Sequence, residues 1–328
     1  MVVVAYHGHA FFAPLQVPGG YLAVDLFFGL SGFVLAHAYA HRFASGLQTA
    51  AFMKARVIRL YPLYFLAAVM SVCSNYAAYR FAGGQFSTIA AITSLLMLPD
   101  LQSVPLYPMN YPAWSLFFEL LVNLAYVVLW PKLTTKRLIA GLCFVAVLLG
   151  LYAFANGGVD YGSKWSGFTG GTLRVTFSFF AGVLLHRFRP RSSISPAAWG
   201  ILLAMIAIFL LPIANRIAFD LLCIFTLFPA LIWLAARYEP HNQTIFTWLG
   251  AISYAVYVLH YPALLAAERA LSLLQISPDD LAPTSGFAFV SLLIAGCWAT
   301  EVLYDKPIRD FASGRRAAKR NAAGMAII

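Results

Sequence analysis

Apolar runs of about 17 to 25 residues, the length that carries a helix across a bilayer core, recur from one end of this sequence to the other. No soluble block separates them, so the chain is expected to be all-α, one polytopic integral membrane protein. Candidate spans lie near 1–17, 21–40, 57–79, 112–130, 137–155, 172–187, 197–214, 217–236, 246–266 and 284–304, which makes ten transmembrane helices. A further apolar stretch, 87–99, is expected to be re-entrant or interfacial. Composition agrees: 61% of the 328 residues are hydrophobic and 10% charged, against roughly 25% charged in an ordinary soluble domain.

With 87–99 held out of the span count, the loops alternate in charge. One side carries 17 of the 22 Lys and Arg residues: Arg42, Lys54, Arg56, Arg59, Lys132, Lys136, Arg137, Arg187, Arg189, Arg191, Arg237 and six from Lys306 onward. The other carries five, namely Arg80, Lys164, Arg174, Arg216 and Arg269. The positive-inside bias assigns the richer side to the cytoplasm and places both termini there. Residues 1–311 are expected to form the membrane domain and 312–328 a basic cytoplasmic tail in contact with lipid. The net charge of +10 then reflects juxtamembrane cations, not a nucleic-acid surface. The first segment lacks a basic n-region and similar segments follow it, so it reads as a span instead of a cleaved signal.

An ionisable side chain at membrane depth costs several kcal/mol and is a candidate functional group by default. The opening MVVVAYHGHAFFAPL holds two, His7 and His9, and they point about 200° apart round a helix. His7 is taken as the reaction-centre group and His9 as an interface group. In YLAVDLFFGLSGFVLAH, Asp25, Gly29 and Gly32 share one face, where the glycines suit a close helix neighbour. Asp25 is either a partner of His7 or of a substrate hydroxyl, or an interfacial carboxylate in water. In PAWSLFFELLVNLAYVVLW, Ser115, Glu119 and Asn123 form a polar stripe that has to face protein or a cavity. Glu119 serves there either as an interhelical hydrogen-bond acceptor or as an acid, base or orienting group, and the stripe favours a chamber. In ISYAVYVLHYPALL, Ser253, Tyr257 and Tyr261 share a face beside His260, just ahead of Pro262.

The stretch KARVIRLYP sets Arg56 and Arg59 one turn apart at a cytoplasmic mouth. Positive-inside anchoring explains them alone; recognition of a phosphorylated donor by guanidinium forks is the functional alternative. There is no P-loop, dinucleotide-type GxGxxG, HExxH or GxSxG. The cysteines, Cys73, Cys143, Cys223 and Cys297, fall in separate apolar segments without disulfide or metal spacing, and no metal is expected.

In this order, His7, DLFFGLSGF (Asp25 to Phe33), RVIRLYP (Arg56 to Pro62), PAWSLFFE (Pro112 to Glu119), SYAVYVLHYP (Ser253 to Pro262) and YDKP (Tyr304 to Pro307) resemble the acyltransferase family 3 membrane proteins over nearly the whole chain. The resemblance implies a bacterial inner (plasma) membrane enzyme with about ten helices that moves an acetyl or other acyl group from acyl-coenzyme A to a hydroxyl of an envelope or exported glycan. It implies that His7 matches the family's essential first-helix histidine, Arg56 and Arg59 its paired arginines, Phe27, Phe28, Ser31 and Gly32 its Phe-Phe-x-x-Ser-Gly motif, and Glu119 its Trp-Ser-Leu glutamate. Asp305 stands where many members have glutamate. Those members also carry an arginine about three helical turns before the histidine, a position upstream of Met1 in this numbering. The first span is short and has no basic inner flank, so the expectation is that the first helix is truncated at its N-terminus.

The mechanism expected from these residues has His7 as base on the acceptor hydroxyl, steadied by Asp25 or Glu119, and Arg56 and Arg59 on the donor phosphates. Ser115, Tyr257 and His260 are expected to contact substrate. Transient acylation of His7 is a variant of the same chemistry. The expected partners are the glycan acceptor, membrane lipids and a separate extracytoplasmic protein. Two rivals remain open: a transporter or flippase of a glycan or lipid-linked intermediate that uses the same inward polar stripes, and an inactive membrane scaffold.

Overall fold

The computed structural model describes residues 1–314, so the tail expected over 312–328 lies, apart from Ala312, Ser313 and Gly314, outside the described residues. The fold is helical, as long apolar segments must be where the backbone has no water to bond. Among the described residues, eight segments are long and apolar enough to cross a membrane: Gly20–Ala44, Thr49–Phe81, Tyr111–Lys132, Thr135–Asn156, Trp165–Arg187, Arg216–Arg237, Gln243–Leu273 and Thr284–Ala312. Their principal helices are α3 (Ala23–Ala44), α4 (Thr49–Ala82), α6 (Trp114–Leu129), α7 (Thr135–Asn156), α8 (Phe168–Arg187), α10 (Arg216–Leu222) with α11 (Phe228–Arg237), α12 (Gln243–Leu273), and α13 (Thr284–Thr300) with α14 (Lys306–Ala312).

The other two expected spans are shorter than the sequence pattern suggests. The first is broken at Gly8 into α1 (Val2–His7) and α2 (His9–Phe12), and the other is α9 (Ala197–Leu210), a helix of 14 residues. Gly8 leaves helical geometry, with φ −100° and ψ 32°, which a hydropathy profile does not register. The stretch 87–99 contains only α5 (Thr88–Leu95), capped by the Ser87 side chain. At 8 residues it is about 12 Å long and does not span, in agreement with its exclusion from the count.

Burial runs inside out relative to a soluble protein. Phe144, Val147, Leu151 and Phe154 on α7 are 61–65% exposed, whereas Asp25, Glu119, Asn123, Arg174, His260 and Asp305 are buried between helices. The closest seam joins α3 to α8. A Cβ on Gly32 would collide with the Phe179 carbonyl oxygen, and one on Gly182 with the Gly29 carbonyl oxygen, so the two helices meet backbone to backbone. Among the described residues two π turns, Cys223–Leu227 within Arg216–Arg237 and Glu301–Asp305 within Thr284–Ala312, interrupt long segments, and the second delivers Asp305 to the interior.

Candidate active site

The residues singled out in the sequence assemble into a polar column between α1, α12, α6 and α4. On α12, His260 is fully buried and its Nδ1 lies 2.6 Å from the Tyr257 carbonyl oxygen. A carbonyl only accepts, so Nδ1 carries the proton and Nε2 presents a lone pair. That Nε2 is buried and has no hydrogen-bond partner among the described residues. The His7 ring sits 5.4 Å from the His260 ring, enclosed by Tyr6 at 5.2 Å, Tyr261 at 5.7 Å and Tyr111 at 6.5 Å. His9 is exposed on the other side, as expected of an interface group.

The column continues through Tyr257, whose hydroxyl lies 2.5 Å from Ser115 Oγ on α6. Ser115 also donates to the Pro112 carbonyl at 3.0 Å, which fixes it at the start of its helix. One turn along the same face, Glu119 gathers three donors on a single oxygen. Its Oε1 accepts from Ser31 Oγ of α3 at 2.5 Å, from Arg56 Nη2 of α4 at 3.2 Å and from Asn123 Nδ2 at 3.3 Å. The carboxylate therefore ties three helices together with its charge balanced by Arg56. Arg56 Nε and Asn123 Oδ1 are buried without partners among the described residues.

Arg59, one turn beyond Arg56, stacks its guanidinium 5.1 Å from the Tyr254 ring centre and lies 3.5 Å from Asp305. Asp305 is held in turn by Arg309 at 2.7 Å, and Arg309 also bonds Glu301. A chain of charges thus ties the YDKP segment to α4 at Arg59. The Arg59 side chain keeps 34% of its surface exposed, which leaves it reachable from the mouth.

Asp25 faces elsewhere. It is 1% exposed and bonded by Arg174 of α8 through two nitrogens, at 2.5 and 3.2 Å, with Ser178 Oγ at 3.4 Å. Arg174 spends its remaining donors on the Tyr21 and Tyr161 carbonyls at 3.1 and 3.0 Å, and Asp160 lies 3.8 Å away. The neighbours of His7 are aromatic rings, while the two carboxylates expected to steady it are engaged by arginines. Arg174 is the residue that sequence reasoning missed. Charge alternation alone assigns it to the outer-side cations, yet it lies within the Trp165–Arg187 span and is 1% exposed. The signal was present: one acid and one base in separate apolar runs, each prohibitively costly alone, have good reason to pair.

No three His, Cys, Asp or Glu side chains among the described residues are grouped as metal ligands. A family model described as an acyltransferase domain matches residues 1–302, nearly all that the structure describes. The chain belongs to the acyltransferase 3 family. Among curated relatives, this acyltransferase 3 protein is 38% identical over 165 residues to "Protein 2 in picA locus" of Rhizobium radiobacter, an alignment covering 45% of this chain and 86% of that protein. No solved structure matches it. As an acyltransferase 3 protein the chain is a membrane acyltransferase, and of the residues expected at its site His7, Ser31, Arg56 and Glu119 lie on the one column, with Arg59 one turn beyond.

Proposed function

We propose that the protein transfers an acetyl or other acyl group from acyl-coenzyme A, entering beside Arg56 and Arg59, to a hydroxyl of an envelope or exported glycan. The observation that carries this reading is the continuity of the column: His7 and His260 face each other at 5.4 Å, and Tyr257, Ser115 and Glu119 lead from them to Arg56. Unpartnered buried atoms on His260, Asn123 and Arg56 are polar groups available to a substrate.

In the reaction the acceptor oxygen attacks the thioester carbonyl carbon while His7 removes its proton; the C–S bond breaks and the proton passes to the departing thiolate. His260, a lone pair at its Nε2, orients the neighbouring ring and the hydroxyl that approaches it. Glu119 holds Arg56 and Ser31 in place, and Tyr257 with Ser115 lines the path of the acceptor. Arg59 stands at the entrance for the donor phosphates. The enzyme sits in the inner membrane with both termini cytoplasmic, and a separate extracytoplasmic protein is a candidate partner for delivering the group.

Membranes containing the protein and an acetylatable exopolysaccharide, supplied with radiolabelled acetyl-coenzyme A, should incorporate label into the polysaccharide. His7→Ala should reduce incorporation by at least about 10²-fold, the usual contribution of a general base. Undiminished labelling in that variant removes the histidine from the mechanism, and glycan movement without label incorporation would favour a transporter.

A further inference from the structure

A second polar feature lies away from this column, at the ends of the helices that carry most of the cations. A cavity of about 610 Å³ opens between α3, α6, α7 and α8, with Tyr126, Trp130, Thr135, His186, Arg187 and Arg189 in its wall. This volume falls within the range of small-molecule sites, roughly 300–1,000 Å³.

Its charges are unbalanced. Arg187 donates to Thr135 Oγ1 at 2.9 Å and to the Leu133 carbonyl, both neutral groups, and Arg189 lies against His186 Nε2. His37 brings a second imidazole, 5.6 Å from that of His186. Among the described residues neither arginine pairs with a carboxylate. Arg56 and Arg59, by contrast, are matched with Glu119 and Asp305. Cations at a helix C-terminus are ordinary, since the dipole and the positive-inside bias both favour them. Neither effect accounts for the other wall. Tyr126 is 0% exposed, and its hydroxyl is buried without a hydrogen-bond partner among the described residues. A buried hydroxyl without a partner among the described residues, lining the same cavity as two guanidinium groups that no carboxylate balances, marks a site for an acceptor-rich anion.

We propose that this cavity binds an organic phosphate, its oxygens between Arg187, Arg189 and the Tyr126 hydroxyl, with the Trp130 ring against the adjoining part of the ligand. Two sources carry that chemistry: a soluble nucleotide phosphate, whose base would stack on Trp130, or the phosphomonoester headgroup of an anionic lipid. The proposal concerns binding and stands or falls separately from the role of His7.

The test uses the full chain in nanodiscs. In phosphatidylcholine discs, adenosine 3′,5′-bisphosphate is titrated calorimetrically; in discs doped with phosphatidic acid, retained lipid is counted by native mass spectrometry. One of the two probes should bind. Arg189→Gln should weaken it about tenfold or more, as expected for loss of a charge-assisted bond. Tyr126→Phe, which removes a hydroxyl without a hydrogen-bond partner among the described residues, should weaken it about 3- to 10-fold without lowering the melting temperature. Arg187→Gln is the stronger substitution, but it also cuts the tie to Leu133, so Arg189→Gln and Tyr126→Phe keep the test decisive if it fails to assemble. Nucleotide binding identifies a soluble ligand and lipid retention a headgroup. Binding of neither probe, or binding that is the same in wild type and in Arg189→Gln, overturns the proposal.

Discussion

Two of the carboxylates inside the spans, Asp25 and Glu119, are put to opposite uses. Glu119 shares one oxygen among a hydroxyl, an amide and a guanidinium from three helices, and its surroundings include unpartnered atoms. Asp25 is saturated by a fully buried arginine 149 positions away. Removing one partner of a buried pair strands the other charge, so Asp25→Ala should destabilise the protein by about 3–5 kcal/mol, read as a fall in the thermal unfolding temperature of the detergent-solubilised chain. The apolar double replacement Asp25→Leu with Arg174→Met should recover most of that loss; a double variant no more stable than the single one would show that the pair does more than neutralise itself. The sequence displayed both charges but not their pairing. Nothing local links position 25 to position 174, whereas Ser115, Glu119 and Asn123 announce a common face through helical spacing alone.

At the level of helices, spacing told half of each contact. Gly29 and Gly32 at helical intervals pointed to a close neighbour, and the neighbour proved to be α8 through Gly182. Gly182→Val places a branched side chain against the Gly29 carbonyl and should cost about 3 kcal/mol or more, seen as loss of monodispersity and a lower melting temperature. Gly200→Ala, where a Cβ meets nothing within 4 Å, is the matched control and should change neither measurement. The opening segment was harder to read. Its hydropathy is continuous from Met1 to Val17, but the helix breaks at Gly8, immediately after the histidine, because a backbone angle rather than an apolar count decides where a helix stops. The eight-residue α5 was easier, since a run of that size is too short to cross.

For the molecule as a whole, the ten-span expectation would orient the chain by its alternating cations, and with Arg174 buried the tally on that expectation stands at 17 against four, from five less one. Single cysteines in a background without the native four should report this directly. Lys164→Cys should react with a membrane-impermeant maleimide in intact spheroplasts, while Arg42→Cys and Arg191→Cys should react only after permeabilisation. Labelling of position 191 from outside would invert the topology and with it the side from which a donor enters. The α3–α8 seam sets a limit on motion in this bundle. Where backbone rests on backbone there are no side chains to swing, so the pair travels as one plank. That plank carries Ser31 at the Glu119 junction and Arg187 at the cationic cavity. An opening of the column that leaves this plank intact would come from α1, α4, α6 or α12 shifting against it, and the two sites would register the same movement.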